Sequence, residues 1–187
     1  MAKLKLHYNS PVVLTFAFVS AIILVINAVS AGSVTPFVSI GQPFSFANPL
    51  DWLRLFTHVL GHGSVAHLAG NLMLLLLLGP ILEEKYGSGR LLTMMALTAA
   101  ITGLLQVSLF DSSLLGASGI VFMLILLASI TNAREGHIPL TMLLVVVLYL
   151  GQEIAASVRA DNVSQFAHIV GGLCGAAFGF IPRLGHR

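Results

Sequence analysis

Residues 65–82 read VAHLAGNLMLLLLLGPIL, with no lysine, arginine, aspartate or glutamate and an unbroken leucine run from Leu74 to Leu78. At 1.5 Å per residue, about 20 apolar residues cross a hydrocarbon core of about 30 Å, so the stretch reads as a membrane-spanning helix. Working outward, five more apolar stretches cover 11–30, 91–109, 114–131, 138–157 and 166–182. The expectation is an all-α integral membrane protein of six transmembrane helices, with 1–187 forming a single domain.

Composition agrees. The chain is 57% hydrophobic and 9% charged, with a mean hydropathy of +0.95, whereas soluble domains carry about 25% charged residues. The net charge is +2, nine basic residues against seven acidic ones, and the basic residues are scattered and form no stripe, which argues against a nucleic-acid partner. The single cysteine, Cys174, lies in a Gly/Ala-rich apolar stretch and reads as a small buried hydrophobe.

One connection is long. Residues 31–64 carry Phe37, Phe44, Phe46, Trp52 and Phe56 among prolines and glycines, which suits a loop lying at the membrane interface. If the spans alternate, Lys3, Lys5, Lys85, Arg90, Arg134, Arg183 and Arg187 fall on one side, and Arg54 and Arg159 on the other. The positive-inside rule then predicts both termini in the cytoplasm. A cleavable leader is the competing reading of the N-terminus, but its apolar run of about 20 residues exceeds the usual 7 to 15.

On this topology the second, fourth and sixth spans all enter from the outside, and their starts hold the unusual polar residues: His67 and Asn71, Ser118 within Gly116-Ala117-Ser118-Gly119, and His168. Polar groups in spans tend to face a protein interior or a cavity and to carry function. Individually each has a plain structural reading. Ser118 between glycines suits a close helix contact, His168 a packed ring, and Asn71 an interhelical hydrogen bond. Together they suggest chemistry. A serine hydroxyl needs a neighbouring base, and neutral imidazole has a suitable pKa. The His67-x-x-x-Asn71 spacing puts two side chains on one helix face, where with the Ser118 N–H they can surround an oxyanion. Asp111 and Asp161 lie in outer connections and Glu153 late in the fifth span, so a Ser118–His168 dyad is expected before a triad, with Asp161 left as the carboxylate that could complete one.

At these residues the sequence resembles the rhomboid family of intramembrane serine proteases, in its compact six-helix bacterial form. The resemblance runs through Arg54-Leu-Phe-Thr-His58, His62, His67-x-x-x-Asn71, Glu83-x-x-x-Gly87-Ser-Gly-Arg90, Gly116-x-Ser118-Gly119 and His168-x-x-Gly171-x-x-x-Gly175. It implies a bundle with a long interfacial first loop. It also implies a Ser118 nucleophile, His168 as base and then acid, oxyanion support from His67 and Asn71, and no metal or cofactor. The implied substrates are transmembrane proteins entering laterally from the lipid near the second and fifth spans, in a bacterial cytoplasmic membrane. Gly116, Gly119, Gly171 and Gly175 would support the site by close packing. Phe122 stands where the family often has a tyrosine stacked on the histidine, keeping the ring without the hydroxyl. Glu83 and Arg90 read as structural residues of a polar turn.

Other functions fit less well. A catalytically silent rhomboid-like chaperone or trafficking factor would share the fold, but such relatives usually lack the serine or histidine. A metal or haem site on His58, His62 and His67 has only imidazole spacing behind it. A transporter or channel would be expected to show a duplicated half or paired broken helices.

Overall fold

In the computed structural model, the described residues are 7–133, 162–181 and, between these, 140, 143, 144, 147 and 148. They contain six named α-helices: α1 (Pro11–Val29), α2 (Pro49–Thr57), α3 (Val65–Tyr86), α4 (Ser88–Leu109), α5 (Ser118–Ala133) and α6 (Asn162–Phe180). Short 3-10 turns occupy Thr35–Phe37 and His58–Leu60. Most of the predicted fifth span, together with Lys3, Lys5, Arg134, Glu153, Arg159, Asp161, Arg183 and Arg187, lies outside the described residues. Among the described residues, α1, α3 and α4 are long and apolar enough to cross a membrane, while the apolar parts of α5 and α6 are shorter.

The centre of the bundle is α5. Ile120 to Ile125 and Leu127 are all at most 2% exposed, as expected for a helix apolar on every face and enclosed by its neighbours. In contrast, α1 buries only Val13, Ala17 and Ser20. Gly79 of α3 lets α1 come close, since a Cβ there would lie 2.6 Å from Val13 Cγ2.

Helix ends differ from the hydropathy reading by up to four residues, and two of these differences have a plain physical cause. The second span runs through Pro80 and past residue 82 to Tyr86 and stops at Gly87, whose φ of +82° suits glycine. This one residue joins α3 to α4. The fourth span begins at Ser118 rather than 114, because Leu114 exchanges backbone hydrogen bonds with Ile40 (2.9 and 2.7 Å) and Gly116 takes a φ of +125°. Neither conformation continues a helix.

At the hairpin end of the bundle, Glu83 closes the start of α1. Its two carboxylate oxygens each accept a 3.0 Å hydrogen bond, from Val12 N–H and Val13 N–H. The Ser88 hydroxyl donates to the same carboxylate at 2.7 Å. Glu83 is thus a buried anion on the positive end of another helix.

At the opposite end, the long loop folds over the bundle. Asn48 caps α2 by accepting from Leu50 N–H, with Pro49 in the first turn. Asp51 accepts from Arg54 Nη1 at 2.6 Å, Ser45 N–H and the Asn48 amide. The Ser45 hydrogen bond is the main force lowering the Asp51 pKa, burial opposes it, and Arg54 lowers it further. Trp52, Leu53, Phe56 and Phe46 point outward, and Phe44, Phe46 and Trp52 pack edge to face. An amphipathic helix with an aromatic outer face suits the membrane interface.

Candidate active site

Ser118 is the first residue of α5 and is half-buried. The turn before it is held residue by residue. Gly116 N–H donates to the His58 carbonyl at 2.9 Å, and the Ala117 carbonyl accepts from Val121 N–H at 2.9 Å. Ala117 N–H donates to His62 Nε2 at 3.4 Å. The last carbonyl bond fixes the plane of the Ala117–Ser118 peptide. The Ser118 N–H is therefore one of the helix-start donors that have no intrahelical acceptor.

Gly116 is required where it stands. Besides its positive φ, a Cβ there would meet the His67 ring at 2.7 Å from Cε1 and 2.8 Å from Nε2. His67 of α3 is therefore set against the Gly116 turn that precedes Ser118. Its helix is capped by Ser64, whose hydroxyl oxygen accepts from His67 N–H at 3.0 Å. Asn71, one turn further along α3 and buried, donates Nδ2–H to the His67 carbonyl at 3.1 Å. That bond is within one helix rather than between helices, and it leaves the second amide hydrogen to be directed elsewhere.

His168 comes to the same place along α6. This helix runs parallel to α5 at close range: a Cβ on Gly171 would lie 2.0 Å from the Gly119 carbonyl oxygen, and one on Gly175 2.1 Å from that of Met123. Only glycine fits at either position, as in small-xxx-small helix contacts. Gly119 is close as well, since its Cβ would be 3.3 Å from the Ala167 carbonyl oxygen and 3.4 Å from Thr102 Cγ2. The buried His168 ring stacks on Phe122, with centroids 4.5 Å apart and planes 15° from parallel. Phe122 is one helical turn after Ser118, so the stack holds the imidazole beside the first turn of α5.

His58 and His62 have other duties. His58 Nδ1 donates to the Arg54 carbonyl at 3.1 Å, and its Nε2 lies 3.5 Å from the Thr102 hydroxyl. His62 Nδ1 donates to the Leu60 carbonyl at 3.2 Å while Nε2 accepts from Ala117. Burial lowers the pKa of His58 to about 4, against the backbone bonds to Arg54 and Leu55. Burial does the same for His62, to about 4, with the charge of His67 adding to it. Both rings are neutral at pH 7. Among the described residues no three His, Cys, Asp or Glu side chains are grouped to hold a metal.

The sequence reading did not foresee that the two loop histidines grip the peptides preceding Ser118. The motif marks these residues, but the groups they hold at this turn are the backbone N–H groups of Gly116 and Ala117, which leave no sequence signal.

Among the described residues, a helical membrane bundle with serine, histidine and amide groups gathered at one end defines the class. The Rhomboid domain model matches residues 49–184, and the chain belongs to the rhomboid family. It is 32% identical over 141 residues to "Rhomboid protease GluP" of Bacillus subtilis (strain 168), covering 72% of this chain and 27% of that protein. It is 27% identical over 177 residues to "Rhomboid protease GlpG" of Salmonella paratyphi A, covering 92% and 64% respectively. For "Rhomboid protease GlpG" of Enterobacter sp. (strain 638) the identity is 26% over 169 residues, covering 89% and 60%. The chain thus spans less than two thirds of the length of these relatives.

Proposed function

We propose that this chain is an intramembrane serine endopeptidase that hydrolyses peptide bonds in or near transmembrane segments of other membrane proteins. The observation that carries this reading is the stack of His168 on Phe122, together with the glycine contacts that bring α6 against the first turns of α5.

Ser118 Oγ attacks the scissile carbonyl carbon while His168 takes the hydroxyl proton. The tetrahedral oxyanion is met by the Ser118 N–H, His67 and the free hydrogen of the Asn71 amide. His168 then gives its proton to the leaving amine as the C–N bond breaks, leaving an acyl ester on Ser118. A water, deprotonated by His168, hydrolyses that ester and restores the serine. Serine and imidazole act as a dyad. The proposal includes six spans in one domain, both termini in the cytoplasm of a bacterial inner membrane, and substrates entering laterally from the lipid.

The test is purified protein in proteoliposomes with a single-span model substrate. Ser118→Ala and His168→Ala are each expected to lower cleavage at least about 10⁴-fold with helical content unchanged. A fluorophosphonate should label Ser118 covalently in the parent protein. Undiminished turnover by Ser118→Ala overturns the mechanism.

A further inference from the structure

His62 lies outside the proposed catalytic group, yet it is 4% exposed and touches both halves of the site. Its Nε2 is the acceptor for Ala117 N–H, and its ring packs edge-on against His67 with centroids 5.0 Å apart. We propose that His62 is a positioning residue that sets the Ala117–Ser118 peptide and the His67 ring through one fixed tautomer, protonated at Nδ1 and bare at Nε2.

The tautomer follows from the partners. The Leu60 carbonyl can only accept, so the nitrogen facing it, Nδ1, carries the hydrogen. Ala117 N–H can only donate, so the nitrogen facing it, Nε2, offers its lone pair. Neither the other neutral tautomer nor imidazolium satisfies both. The next peptide is the one whose N–H is aimed at the oxyanion. Its carbonyl is already held by Val121, so with Gly116 N–H on His58 and Ala117 N–H on His62, three successive anchors determine where Ser118 begins. Removing the His62 anchor frees the middle one, and a displacement of about 1 Å in a catalytic group can cost about 10²-fold in rate.

This assignment leans on the protease reading only for its rate measurement; two spectroscopic measurements stand apart from activity. In the full chain in lipid bilayers, ¹⁵N-histidine spectra should show His62, identified by its loss in His62→Gln, as the Nδ1-protonated form. Labelling glycine carbonyls with ¹³C and alanine amides with ¹⁵N selects Gly-Ala pairs, which occur only at Gly116–Ala117 and Gly175–Ala176. In His62→Leu the Ala117 amide signal should move and that of Ala176 should stay. Cleavage by His62→Leu should fall about 10²-fold in kcat/KM. His62→Gln, whose side-chain oxygen can accept near the Nε2 position while its amide donates, should recover most of that loss. A Nε2-protonated ring, an Ala117 amide indifferent to His62→Leu, or equal rates in His62→Gln and His62→Leu would each overturn the proposal. If His62→Leu does not fold, the tautomer in the parent protein still decides. If the parent cleaves nothing, the protease reading fails while the spectra still judge His62.

Discussion

Two helix starts in this molecule meet the same physical problem with opposite chemistry. At α1 the exposed N–H groups are closed by an anion, with Glu83 accepting from Val12 and Val13. At α5 the turn is held by neutral acceptors, the His58 carbonyl and the His62 imidazole, both acting on N–H groups that precede Ser118. A helix start carries about half a positive charge and welcomes a negative one. At α1 that charge is built into the fold. On the proposed mechanism, the place at α5 is kept for the oxyanion, which exists only during the reaction. Stability governs the one, and the difference between ground and transition state the other.

If the contrast holds, acid should loosen the α5 end. His58 and His62 titrate near 4 when folded, against 6.5 for an unperturbed imidazole. Between those values the unfolded chain binds more protons, so stability is complete above about pH 6.5 and lost as pH falls toward 4. Each imidazole contributes about 3 kcal/mol to that loss. SDS-titration unfolding at a series of pH values should show the decline, and His58→Gln should remove about half of it. A flat profile from pH 7 to 4 would mean that these rings are not held neutral by burial.

The α1 end gives the next largest effect. Glu83→Gln removes the charge and turns one acceptor into a donor facing a backbone N–H. Unfolding should become easier by about 2–4 kcal/mol, while kcat/KM per folded molecule stays within about twofold, far below the 10²-fold expected of a displaced catalytic group. An activity loss well beyond the loss of folded protein would break the division between the two ends.

The spans that became α1, α3 and α4 were legible because lipid imposes a length and an apolar composition on any helix that crosses it. The glycine spacing after His168 was legible for a related reason, since only small residues allow the approach seen at Gly119 and Met123. The start of α5 was not. Leu114 continues the apolar run, and only its pairing with the distant Ile40 and the φ of Gly116 take it out of the helix. The sequence marked Glu83 as structural but could not name its partner, because the start of α1 offers backbone groups alone. His62 was marked by the family motif without a role, and the group its Nε2 holds was again a peptide N–H.

The smallest predicted effect probes the aromatic ring that stands beside the α5 start. The Phe122 ring supports His168 by stacking, an interaction worth about 0.5–1.5 kcal/mol beyond simple burial. Phe122→Leu keeps an apolar side chain but gives up the flat face, so the imidazole gains freedom next to Ser118. The expected result is a fall in kcat of about three- to tenfold with KM little changed, because on the proposed mechanism the ring serves the proton transfer rather than substrate binding. Phe122→Tyr keeps the face and should stay within about twofold on the same stacking argument. Steady-state kinetics in proteoliposomes separate the two variants. If Phe122→Leu instead raised KM at constant kcat, Phe122 would belong to the substrate's path and not to the support of His168.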